Sequence, residues 1–132
     1  MDRQTILTLL TEAEEQFGLA AALDHFYGAN VRVKLTVPLR LCQMTIDEMQ
    51  LSVRSWNALR RAGIDTIGQL IDAAAGDELP RIRNLGRISL SEIKTRLLVM
   101  GYQELSPAGR QRFLEYVIDH NTLRCTKDTG ML

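Results

Sequence analysis

The sequence predicts a mainly all-α protein of short helices, with helical extensions at both ends and one possible short extended segment. Three observations carry this. Apolar residues recur at helical spacing over most of the 132 residues. Cap residues open those runs at Ser52, Thr66, Ser89 and Ser106, and glycines close them at Gly63, Gly76 and Gly101. One stretch alone, residues 31–42, changes to period two, and no second strand is evident to pair with it.

The elements follow in order. Ile6, Leu9, Leu10, Ala13 and Phe17 share one helical face over residues 3–17. Leu19, Ala22, Leu23 and Phe26 repeat it before Gly28, which gives two helices, or one bent near Gly18. Val31, Val33, Leu35, Val37, Leu39 and Leu41 then alternate with mostly polar residues. That pattern marks an extended segment with one buried face, which Pro38 limits to a sheet edge or ends. It is expected to dock on a helical surface or to pair with its copy in a homodimer. Thr45 to Glu48 reads as a capping box. Ser52 caps a helix reaching Ala62, and Thr66 with Gln69 starts another that ends near Gly76. Residues 77–83 make a short turn of helix, and Asn84-Leu85-Gly86 a tight turn. Ser89 with Glu92 reads as a further capping box for a helix to Met100. Ser106-Pro107 opens the last helix, on which Phe113, Tyr116 and Val117 form the core face. The tail from Arg124 reads as a frayed end.

Bulk properties exclude several classes. Apolar residues make up 45% of the sequence, enough for a packed core and too many for a disordered protein. No apolar run approaches a membrane span, and no basic region followed by an apolar run suggests a signal peptide. Cys42 and Cys125 lack the spacing of a zinc site or a disulfide framework, so the expected setting is the reducing cytoplasm. No nucleophile–base constellation, metal-spaced cluster or Gly-Lys-Ser/Thr phosphate loop is present. The protein therefore reads as no enzyme, with no metal and no cofactor; His25 and His120 are isolated. The net charge of zero conceals an asymmetry. Residues 1–30 carry five acidic residues against one basic, and residues 51–96 carry eight basic against five acidic. A local basic field matters more to a phosphate partner than the total does.

The candidate site lies in that basic stretch. The turn before Arg87 leads into a helix start, where unpaired N–H groups and the positive dipole end favour an anion. Gly86 allows close backbone approach, and Ser89 can cap the helix or bond a phosphate. Two helices joined this way form a sequence-tolerant backbone clamp, although an ordinary helical corner explains the turn equally well. On helix 52–62, Arg54, Asn57 and Arg61 share a face, while Val53, Trp56 and Leu59 lie on a neighbouring face that can enter the core. An arginine at a helix start can enter a narrow minor groove, where asparagine can bond base edges. Taken alone, Arg54 reads more readily as a solvated surface arginine, and Trp56 as core rather than a stacking platform.

The blocks LSVRSWNALRRAGIDTIGQL and RNLGRISLSEIK, with the spacing between them, resemble the C-terminal domain of the bacterial RNA polymerase alpha subunit over roughly residues 46–101. The resemblance implies a set of short helices around a helix-hairpin-helix, contacting A/T-rich double-stranded DNA through the minor groove and touching transcription proteins. Arg54 resembles the arginine that enters the groove, Asn57 its neighbouring asparagine, and Arg60 a basic phosphate contact. Gly86, Ser89 and Glu92 match the hairpin-side positions, with Glu92 orienting basic groups rather than touching DNA. Arg61 and Arg87 complete the expected DNA-binding set. Ile88 stands where the family commonly has lysine, which removes one phosphate contact. Gln50 stands where an acidic residue of the family faces sigma. Residues 1–43 are too short for the family's large N-terminal domain, so a free-standing relative is expected. Its parts are an N-terminal extension (1–43), the domain resembling the alpha C-terminal domain (44–103), and a C-terminal helix and tail (104–132).

Two functions compete on these grounds. One is a small DNA-binding transcription module, its modest affinity assisted by dimerisation. The other is an adaptor or decoy that borrows the polymerase surface to engage polymerase or an activator without strong DNA binding.

Overall fold

Among the described residues, 1–124, the computed structural model holds seven α-helices. They are α1 (Arg3–Phe17), α2 (Leu19–Tyr27), α3 (Leu39–Cys42), α4 (Val53–Arg61), α5 (Ile67–Ala75), α6 (Arg87–Gln103) and α7 (Pro107–His120). Two 3-10 turns, Ile46–Met49 and Leu79–Arg81, complete the set. The protein is all-α, as its periodicity predicts. Its described residues fold as two compact units, one spanning Thr36–Glu104 and the other formed by residues 1–35 with residues 105–124.

In the second of these units, Asp2 caps α1 by accepting from the Thr5 N–H at 2.7 Å. Gly18, at φ 90°, ends α1 and opens α2. That backbone conformation suits glycine, and it resolves the sequence pattern into two helices. Ser106 accepts from the Gly109 N–H at 3.1 Å, and Pro107 occupies the first position of α7. Ile6, Leu7 and Leu10 of α1 are buried along with Leu19, Ala22 and Leu23 of α2 and Phe113, Leu114 and Val117 of α7. Arg3 grips Asp119 through two bonds of 2.7 and 2.9 Å, and this holds the Asp119 carboxyl below its usual range. The pair is exposed, so it orients α1 and α7 more than it stabilises them. Asn121 clasps the backbone of Arg32 by accepting from its N–H at 2.7 Å and donating to its carbonyl at 2.9 Å.

The unit Thr36–Glu104 packs Leu41, Ile46, Met49, Leu59, Ile67, Leu70, Leu79 and Ile93 into one core. A two-residue clasp joins its halves: Ile46 N–H donates to Asp65 O at 3.0 Å, and Ile67 N–H to Met44 O at 2.9 Å. The capping box expected at Thr66 and Gln69 is present. Gly63 takes φ 83° just past α4, a conformation that favours glycine. Gly68 serves by its size instead. A Cβ there would stand 3.0 Å from the Cys42 carbonyl, so its absence lets α3 and α5 close together.

Several expectations are corrected. The period-two segment does not hold an extended path to residue 41, because Leu39–Cys42 turn helical behind Pro38, whose fixed φ suits a helix start. Leu41 thereby reaches the core, whereas Leu39 is left 72% exposed. Thr45 makes no side-chain capping bond, and only one 3-10 turn follows, its first bond running from Glu48 N–H to the Thr45 carbonyl at 3.1 Å. Ser89 does not cap α6, which starts two residues earlier, at Arg87. Gly101 is buried within the last turn of α6 and does not end it. Arg124 is tied down, its N–H donating to Phe26 O at 2.7 Å. The rest of the tail, with Cys125, lies outside the described residues.

Candidate nucleic-acid interface

The site forms where the starts of α4 and α6 meet. Ser52 caps α4, its hydroxyl accepting from the Ser55 N–H at 3.3 Å. The carboxylate of Glu92, in the second turn of α6, reaches across to that same helix start. It accepts from the Ser52 N–H at 2.7 Å, the Ser52 hydroxyl at 2.9 Å and the Ser55 hydroxyl at 2.5 Å. Three donors converge on one charge. The bond from Ser55, followed by those from Ser52, holds the Glu92 carboxyl below its usual range against the opposing effect of burial. Negative charge beside a helix N-terminus is also favoured by the dipole. A second tie runs from Arg96 Nε to the Met49 carbonyl at 2.8 Å, just ahead of α4.

With α4 locked in this way, its outer face is set. Ser55, Ala58 and Leu59 point inward. Arg54 is exposed in the first turn and, among the described residues, has no hydrogen bond or ion pair. Asn57 is half-buried one turn later, and Arg61 is exposed and likewise unpaired. Arg60 differs. It pairs with Asp65 at 2.8 Å and lies over the Trp56 ring at 5.0 Å, so part of its charge is already satisfied. Trp56 in turn donates to Asp47 at 2.5 Å, which keeps the ring a partial cover of the core.

On the hairpin side, Gly86 is the N-cap of α6 and supplies no side-chain bond, so the first-turn amides remain open. Gly86 itself has an ordinary φ of −83°; the left-handed residue of the turn is Asn84, at φ 69°. A Cβ on Gly86 would meet nothing within 4 Å, so the glycine is required by no contact within the protein. Arg87 is exposed beside it and unpaired among the described residues. Ser89 is buried at 7% exposure, which leaves its hydroxyl little access to a phosphate. Arg54, Asn57 and Arg61 thus share one helix face as expected, whereas Glu92 orients no basic group: its carboxylate takes the serine donors of α4 instead.

Sequence reasoning missed the partners of Glu92. The spacing of Ser52 and Ser55, two small hydroxyls one turn apart at a helix start, was the available signal. Helical spacing also placed Val53 on the core side, whereas Val53 is 75% exposed because Ser55 takes the inward position. Ile88 is 86% exposed at the second position of α6.

Residues 37–98 match the family described as the C-terminal domain of the bacterial RNA polymerase alpha chain. Residues 37–98 belong to that family. The alpha C-terminal-domain unit is therefore a transcription-associated DNA-binding module in the general sense of its family. A DNA-directed RNA polymerase subunit alpha from Symbiobacterium thermophilum is 47% identical over 68 residues, covering 52% of the present sequence. The match spans only 21% of the length of that relative. No solved structure gives a significant match. Among the described residues, no helix is long and apolar enough to cross a membrane.

Proposed function

We propose that the alpha C-terminal-domain unit binds A/T-rich duplex DNA in the minor groove, with Arg54 as the inserted side chain. The observation that carries this is the free guanidinium of Arg54, held in the first turn of a helix whose start is strapped to the uncapped start of α6. A cation with no internal partner, fixed on a rigid element, suits the narrow groove of A/T-rich DNA, where the potential is most negative. Asn57, one turn on, meets base edges or sugar oxygens. The backbone of Gly86, the α6 amides and the Arg87 side chain receive phosphates, and Arg60 and Arg61 add charge along α4. Glu92 acts from behind by holding the two helix starts, and Ser89 is buried and makes no phosphate contact. No chemical step is assigned to the site, and the cytoplasm is the proposed setting.

The test is Arg54→Ala, titrated against an A/T-rich duplex by fluorescence anisotropy with the thermal melt followed in parallel. The variant should melt like the parent, because Arg54 has no internal partner, and its affinity should fall at least tenfold. Unchanged affinity would remove Arg54 from the interface.

A second reading draws on one observation. Val53 and Ile88 are large apolar side chains, each mostly exposed, near the starts of the two strapped helices. Such residues suit a protein contact, so an adaptor role toward polymerase or an activator is the alternative. Capture of polymerase by Arg54→Ala as well as by the parent would favour it.

A further inference from the structure

A second cationic feature lies beyond the starts of α4 and α6. A shallow hollow between the last turns of α4 and the 82–84 turn is lined by Ala58, Arg61, Ala62, Ile82, Arg83 and Asn84. No acidic residue lines it. Arg61 and Arg83 are both exposed, and neither has a hydrogen bond or ion pair among the described residues. Two like charges beside one apolar floor repel each other, and the poorly polarisable floor screens them less than water would. An anion placed between them relieves that repulsion. The adjoining hollow, which shares Ala62 and Ile82, carries Asp72 and Glu78 and so sets the limit of the basic field.

We infer that Arg61 and Arg83 form a phosphate clamp that takes one backbone phosphodiester of the duplex. The inference rests on the DNA-binding reading and adds a contact to it. Arg61 lies seven residues after Arg54 on the same face, about 10 Å along the helix, or roughly three base-pair steps. The clamp therefore lies outside the groove-reading position and carries no base information. It restores a phosphate contact in a unit where Ile88 presents an apolar side chain at the start of α6. Guanidinium groups suit the task, because their planar donors match phosphate oxygens. The same chemistry could be met by a free phosphate group, and the experiment separates the two sources.

The experiment compares the parent with Arg61→Gln/Arg83→Gln on A/T-rich and G/C-rich duplexes across a salt series. Loss of one phosphate contact should lower the slope of log affinity against log salt by about 0.9, and affinity by about eightfold near 0.1 M salt. Both duplexes should lose affinity by the same factor, so the A/T preference survives. An unchanged slope in the double variant overturns the clamp while the DNA-binding reading stands. Loss of the A/T preference overturns it too, since the pair would then act in groove reading. If the parent binds no duplex, the DNA-binding reading fails, and inorganic phosphate decides the clamp as an anion site. Movement of the Arg61 and Arg83 Nε–H resonances by phosphate, and not by chloride at equal ionic strength, keeps that site; no movement removes it.

Discussion

Glu92→Gln is the sharpest test of how the interface is built. The substitution keeps the shape of the side group and removes the charge on which Ser52 and Ser55 converge. A hydrogen bond to a charged group contributes about 1.5–3 kcal/mol when well formed, and less where water competes. The bond from Ser55 joins the carboxylate to a fully buried hydroxyl, and the two from Ser52 lie at the surface. Glutamine can retain part of this geometry, so the expected cost is about 2 kcal/mol, or a Tm lower by about 10 °C. The sign of the pH dependence follows from the depressed Glu92 pKa. A carboxyl whose folded pKa lies below its unfolded value, near 4.5, stabilises the fold fully above that pH. The contribution is lost as pH falls through the folded value. Urea unfolding at neutral pH and at stepwise lower pH should therefore show a gap between parent and Glu92→Gln that narrows below about pH 4.5. A gap of the same size at every pH, or none at neutral pH, would refute the strap.

Three further outcomes follow from the same unit. Ile88→Lys, at an open position on α6, should raise duplex affinity and steepen the salt slope by about 0.9, read by anisotropy across a salt series. Gly63→Ala should cost about 1–2 kcal/mol in urea unfolding from backbone strain, since a Cβ there meets nothing within 4 Å. Leu59→Ala, at a fully buried core position, should cost about 2–5 kcal/mol and lower DNA binding only as far as it unfolds the unit.

Local signals in the sequence were legible where one residue governs one event. Ser52, Thr66 and Ser106 cap the helices they were expected to cap, and Gly63 ends α4. Tertiary demands overrode the pattern elsewhere. Leu41 is drawn into the core, and this converts the end of an alternating segment into a helical turn. Met44 and Ile46, on either side of Thr45, are bonded to the segment around Thr66, and only one 3-10 turn follows. The inward position of Ser55 swings Val53 into solvent, a choice made by Glu92 on a helix some forty residues away. Arg54, Asn57 and Arg61 were legible as one face because helical spacing alone places them. The hollow shared by Arg61 and Arg83 was not, because it depends on how the 82–84 turn packs beside α4.

The central claim is that the unit reads the minor groove, and base substitution tests it directly. Replacing guanine by inosine removes the 2-amino group from the minor groove and leaves the major-groove pattern of guanine in place. Anisotropy titrations would compare an A/T-rich duplex, a G/C-rich duplex and its inosine–cytosine counterpart. Minor-groove reading predicts that the inosine duplex binds like the A/T-rich one. An inosine duplex that binds like the G/C-rich one would contradict it.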